Sequence, residues 1–196
     1  MAITRKKAVF IDKDGTLIHD VPYNIDPHHI RLMEDAGHSL YRLKKAGYQL
    51  IVISNQAGIA RGLFNKSDLL PVNRQIQLLL APYAVNIDAF YYCPHGPDDG
   101  CDCRKPKQGM ILRAAEDHAV ELPVSWMIGD ILHDVEAGNR AGCRTVLFDN
   151  GNETEWLKGD WRQPRYSVKN LTAAADIICD YERGRRAYER QVSGYH

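Results

Sequence analysis

Two aspartates, Asp12 and Asp14, close the apolar run in "VFIDKDGTLI", with Gly15 and Thr16 directly behind them. A carboxylate at the end of a buried strand can attack phosphorus if a divalent cation offsets its repulsion from a phosphate dianion. Asp12 is the candidate nucleophile. Extended backbone returns the side chain two residues on to the same face, so Asp14 can protonate a leaving oxygen and later deprotonate the attacking water. Asp followed by Gly is equally an ordinary turn signal, so the pair gains weight only from its company. No P-loop pattern occurs to suggest a nucleotide.

That company is spread along the chain. Asp130 and Asp134 stand in "GDILHD". Hard Mg²⁺ takes oxygen ligands, so Asp12, the Asp14 carbonyl and Asp130 make a reasonable set, with Asp134 just outside it. Asp134 can alternatively serve only to start a helix. "CRKP" supplies Arg104 and Lys105. Lysine is a compact point charge for a transferring phosphoryl group, and arginine's fork suits a second oxygen-rich group. Ser54 and Asn55, in "ISNQAGIARG", can donate to phosphate oxygens or cap a strand-to-helix turn.

The sharpest local pattern is "CPHGPDDGCDC". Cys93, His95, Cys101 and Cys103 offer three sulfurs and one imidazole, the ligand count of a closed structural Zn²⁺ site with no open position for catalysis. A disulfide or free thiols are the alternatives. Cys103 abuts Arg104 and Lys105, so folding this loop on Zn²⁺ would fix where both cations point. Cys143 and Cys179, in apolar settings, read as core residues.

The elements that must bring these groups together are legible as apolar runs: "KAVFID", "QLIVIS", "AFYYC", "SWMIGD" and "RTVLFD", with "ADIIC" as a candidate sixth. Runs without polar alternation suit a parallel sheet covered on both faces. Ala36, Leu40, Leu43 and Ala46 predict a helix stopped by Gly47. Ser67 is placed to cap a second, carrying Leu69, Leu70, Ile76, Leu79 and Leu80, with Pro71 in its first turn. Met110 to Ala119 and Asp134 to Ala141 predict two more. Alternation of this kind implies an α/β fold, an open doubly wound sheet that binds ligands beyond the carboxyl ends of its strands.

The 196 residues suit one domain over 1–180, with the loop at 93–103 inserted and a polar, basic, mobile tail over 181–196. Equal counts of 25 basic and 25 acidic side chains give no global field for nucleic acid or an anionic membrane. The longest apolar run, Leu78 to Val85, is far too short to span a bilayer, and Arg5, Lys6 and Lys7 precede no signal-peptide core. The odd cysteine count, clustered at one loop, favours metal binding in a reducing compartment. The expectation is a cytoplasmic monomer without membrane or nucleic-acid partners.

Taken together, "DKDGT", "SNQAGIARG", "CDCRKP" and "GDILHD" resemble the four ordered motifs of the haloacid dehalogenase (HAD) superfamily of phosphohydrolases, over Val9 to Gly142. With the Cys/His loop they look like its heptose-1,7-bisphosphate 7-phosphatase branch. The resemblance implies a Rossmann-like, capless sheet, Mg²⁺ dependence and an aspartyl-phosphate intermediate. Asp12 would be the nucleophile, Asp14 the acid/base, Ser54 and Lys105 the phosphoryl binders and Asp130 the metal ligand. Asp20, Tyr23, Asn55, Gln56, Arg61 and Arg104 match positions that help hold a phosphorylated sugar. The histidinol-phosphate phosphatase branch shares "DxDGT", the Cys/His loop and "CRKPK", and Lys107 leans toward it. "GIARG", Gly109 and Met110 favour the heptose branch, and neither anomer is preferred. A reading of another class is a binding module in which a zinc knuckle and basic tail grip RNA. No Lys/Arg stripe with interleaved aromatics before Arg183 supports it.

Overall fold

The computed structural model describes residues 6–193. Five of its strands are the predicted apolar runs: β1 (Lys7–Ile11), β2 (Tyr48–Asn55), β3 (Ala89–Cys93), β4 (Trp126–Gly129) and β5 (Arg144–Phe148). The sixth, β6, is the three-residue Tyr166–Val168. All are parallel, in the order β3-β2-β1-β4-β5-β6. Strand order reverses at β1, where β2 lies to one side and β4 to the other. The gap between strand ends at such a switch point is where an open α/β sheet offers a crevice.

Helices α1 (Ala36–Lys45), α2 (Leu69–Leu80), α3 (Gly109–His118), α4 (Leu132–Ala141) and α5 (Leu171–Ser193) cover both faces. Alternate β1 residues serve two cores. Val9 and Ile11 join Leu40, Val72 and Ile178 from α1, α2 and α5, whereas Ala8 and Phe10 join Met110, Ile111 and Ala137 from α3 and α4. Full burial on both sides is why these strands read as unbroken apolar runs.

Three expectations need correction. "ADIIC" is helical, lying within α5. Leu171, Ala174, Ala175 and Ile178 are all buried, and that three-to-four spacing is a helix period which a five-residue apolar run conceals. The helix that starts at Leu69 is not capped by Ser67. A short 3₁₀ turn, Lys66–Asp68, precedes it, and Asp68 accepts from the Asn65 amide at 2.7 Å. The residues expected to form a mobile tail continue α5 as helix to Ser193, and Glu182, nearly buried, pairs with Lys7 at 2.5 Å. The last three tail positions lie outside the described residues.

Helix α4 can lie close to the sheet because Gly138 faces it. A β-carbon there would stand 2.6 Å from Met127 Cβ and 2.7 Å from Thr145 Cγ2, on neighbouring strands. Overpacking of this kind costs about 1–3 kcal/mol. Gly138→Ala is therefore expected to lower the urea midpoint by that equivalent without changing the slope; an unchanged midpoint would contradict the tight helix–sheet seat.

Candidate active site

Two chain segments, one after β1 and one from β4 into α4, place three carboxylates at the switch point. The Asp12 amide donates to Ile128 O at 3.0 Å, extending the β1–β4 ladder one residue and aiming Asp12 between the strands. Asp130 follows β4 directly, and Asp134 sits in the first turn of α4. Oxygens of Asp12, Asp130 and Asp134 all lie within 4.8 Å of one another, in residues no more than 7% exposed.

Lys105 holds this group together. Its ammonium pairs with Asp12 Oδ1, with Asp134 Oδ1 at 2.6 Å, and donates to Ile53 O at 2.9 Å. Burial opposes charge on Lys105, yet Asp12 and Asp134 keep its pKa above the ordinary value. Burial likewise pushes Asp12 well above the usual carboxylate range; Lys105 pulls it back, while Asp134, Asp130 and Asp14 add to the rise. Asp130 is pushed up to about 6 by burial and by Asp134, against hydrogen bonds from Asn152 and Thr16. One ammonium among three buried carboxylates leaves an excess of negative charge. A divalent, oxygen-preferring cation fits that donor set.

Asp134 divides its two oxygens between the carboxylate cluster and the helix start. Oδ1 meets Lys105, and Oδ2 accepts from the Ile131 amide at 3.3 Å as a helix-start contact. Gly129 makes room for it, since a β-carbon there would lie 2.2 Å from Asp134 Cβ. Gly15 does the same for Asp130: its φ is +80°, and a β-carbon would fall 2.2 Å from Asp130 Oδ2.

Asp14 faces the cleft and is more open. Its Oδ2 accepts from Gln56 Nε2 at 3.0 Å and from Ser54 Oγ at 3.4 Å, and its Oδ1 pairs with Lys13 at 2.8 Å. Lys13 was missed because strand alternation would turn it away from Asp12. The chain leaves the strand there, and Lys13, 2% exposed, folds back onto Asp14. Asn55 does different work from that expected. Its amide donates to Lys105 O at 3.1 Å and accepts from Lys105 N at 3.0 Å, so both polar atoms clamp the lysine's backbone.

These groups floor a cavity of about 480 Å³, whose walls include Asp20, Tyr23, Asn55, Gln56, Arg104 and, beyond the sequence expectation, His133 and Asn152. Arg61 is not among the lining residues; its guanidinium lies 5.3 Å from the centroid of the Tyr23 ring. Asn152 lies just past the fifth strand end, so its place beyond a carboxyl terminus was the one sequence signal available for it.

In the loop that leads to Arg104 and Lys105, Cys93, His95, Cys101 and Cys103 bring their ligand atoms within 4.8 Å of one another. The Cys93 sulfur is 3.1 Å from that of Cys103 and 3.7 Å from that of Cys101, too far for a disulfide. Metal–sulfur bonds of about 2.3 Å give tetrahedral edges of about 3.8 Å, so the quartet is compact enough for zinc. Arg104 donates to His95 O at 3.2 Å, which ties the cation pair to this loop. Elemental analysis is expected to return one zinc per chain, and Cys103→Ser to lose it along with several degrees of Tm. Metal-free protein of undiminished Tm would contradict this use of the quartet.

Comparison with known proteins places the site in context. A HAD-hydrolase-like family model matches residues 102–174. The D-glycero-β-D-manno-heptose-1,7-bisphosphate 7-phosphatase of Pasteurella multocida is 38% identical over 181 residues, 88% of this chain and 97% of its own length. The enzyme of the same name from Helicobacter pylori is 38% identical over 90% of this chain and 99% of its own. Among solved structures, D,D-heptose 1,7-bisphosphate phosphatase from B. bronchiseptica, complexed with magnesium and phosphate, matches with a TM-score of 0.76 at 29% identity, covering 89% of this chain and 99% of that one.

Proposed function

The chain belongs to the D-glycero-β-D-manno-heptose-1,7-bisphosphate 7-phosphatase family of HAD-like hydrolases, and on that premise we propose that Asp12 attacks the 7-phosphate of the β anomer. The activity is phosphomonoester hydrolysis of a heptose bisphosphate. The observation that carries the residue assignment is the convergence of Asp12, Asp130 and Asp134 on one another, with Lys105 paired to Asp12 and Asp134, beside a cavity that Asp14 also faces.

Asp12 forms a bond to phosphorus as the bond to the sugar's C7 oxygen breaks. Asp14 gives that oxygen its proton. It then takes a proton from water, which attacks phosphorus, releases inorganic phosphate and restores the Asp12 carboxylate. Asp14 is oriented for both transfers by Gln56 and Ser54, whose donors meet its Oδ2. Lys105 offers a fixed charge to the transferring group, and its position is set by the Asn55 clamp rather than by solvent. Mg²⁺, bound by Asp12, Asp130 and the Asp14 carbonyl with Asp134 beside them, would neutralise negative charge that otherwise repels the phosphate dianion. Cys93, His95, Cys101 and Cys103 would hold a Zn²⁺ whose role is structural, fixing the loop from which Arg104 and Lys105 project.

Arg104 and the wall formed by Asp20 and Tyr23 receive the rest of the substrate. The cavity is open enough for a sugar, and the neutral net charge of the chain gives the nucleic-acid reading no support. Among the described residues no helix is long and apolar enough to cross a membrane.

Phosphate release should depend on Mg²⁺ and favour the β anomer of heptose 1,7-bisphosphate over the α anomer and over histidinol phosphate. Preference for histidinol phosphate would keep the chemistry and overturn the substrate. Asp12→Asn keeps shape but removes the attacking oxyanion. Turnover is expected to fall by several orders of magnitude with Tm little changed, and turnover within about tenfold, roughly 1.4 kcal/mol of barrier, would defeat the nucleophile assignment.

A further inference from the structure

The loop between β5 and β6 crosses the carboxyl ends of β1 and β4 and is fastened to both. Asn150 Nδ2 donates to Gly15 O at 2.7 Å, behind the nucleophile. Asn150 Oδ1 accepts from the Asn152 amide at 3.1 Å, which sets the turn between the two asparagines. Asn152 Nδ2 then donates to Asp130 Oδ2 at 2.6 Å. Glu153 Oε2 accepts from the Leu132 amide at 2.7 Å, tying the same loop to the start of α4.

We infer that Asn152 is a positioning residue for Asp130, holding that carboxylate in the orientation that binds the divalent cation. Asp130 has one hydrogen bond on each oxygen, from Thr16 Oγ1 at 3.0 Å on Oδ1 and from Asn152 on Oδ2. Two donors from opposite sides fix the carboxylate's plane, and each oxygen keeps a lone pair free. A neutral amide suits this task. A lysine there would neutralise the charge the cation needs, and a second carboxylate would repel Asp130 or compete for the ion. Space has been cleared for the contact as well, because a β-carbon on Gly15 would stand 2.6 Å from Asn152 Nδ2. Asn152 is itself exposed at the cavity wall while Asp130 is only 4% exposed, so its side chain reaches inward without contributing to the core.

The inference rests on the reading of Asp130 as a Mg²⁺ ligand, and the test separates the two. Mg²⁺ affinity is measured by titration calorimetry, without substrate, on the full-length wild type, Asn152→Ala and Asp130→Asn. Loss of the partner of a metal ligand typically weakens metal binding ten- to a hundredfold. Asn152→Ala is expected to bind Mg²⁺ at least about tenfold more weakly. Its metal-free Tm should be unchanged, and the turnover it loses at low Mg²⁺ should be regained by raising Mg²⁺ and not by raising the bisphosphate. Wild-type affinity in Asn152→Ala beside a loss in Asp130→Asn would overturn the inference alone. Undiminished Mg²⁺ binding by Asp130→Asn would overturn the ligand assignment and the inference with it.

Discussion

The Lys105 ammonium, buried and shared between Asp12 and Asp134, is the interaction around which the site is built. Carboxylates withdrawn from water at such short range would otherwise protonate or separate, because burial and mutual repulsion act in the same direction on each of them. Lys105 removes part of that cost and leaves part of it. The remaining negative charge gives the site its appetite for a divalent cation, and the raised pKa values of Asp12 and Asp130 register the same imbalance in the metal-free protein.

Much of the surrounding structure serves to hold that arrangement still. The lysine comes from a loop whose backbone is clamped by Asn55 at the end of β2 and whose base gathers three cysteine sulfurs and one imidazole. Asp12 is fixed by a ladder hydrogen bond to β4, and Asp134 by the start of α4. Gly15 and Gly129 are required by close approach, each standing where a β-carbon would collide with a carboxylate-bearing side chain. The groups proposed for catalysis therefore come from segments that follow four different strands but lean on one another directly, so a change in any one loop is felt as a change in charge balance at the centre.

The strand ends were legible in the sequence because burial on both faces leaves long apolar runs, and a carboxylate or amide closing such a run stands out. Asp12, Ser54, Asn55 and Asp130 all declare themselves this way. The three-residue β6 has no comparable run, and the helical spacing of Leu171, Ala174, Ala175 and Ile178 was hidden by the compact "ADIIC". Lys13 was invisible for a geometric reason: its pairing with Asp14 depends on where the backbone leaves the strand. Asn55 lines the cavity, but whether its amide faces a ligand or the backbone of Lys105 depends on a contact fifty positions away. Spacing alone carries no information about that.

The central claim is that Asp12, held against Lys105, is the atom source of the first bond to phosphorus. Rapid acid quench of turnover on heptose 1,7-bisphosphate, followed by peptide mass spectrometry, tests it most directly. The account requires a phosphoryl adduct on the Asp12 carboxylate that forms and decays within one turnover and is missing from Asp12→Asn. Full-rate turnover with the adduct on Asp14, or on no carboxylate at all under conditions where an acyl phosphate survives the quench, would contradict it.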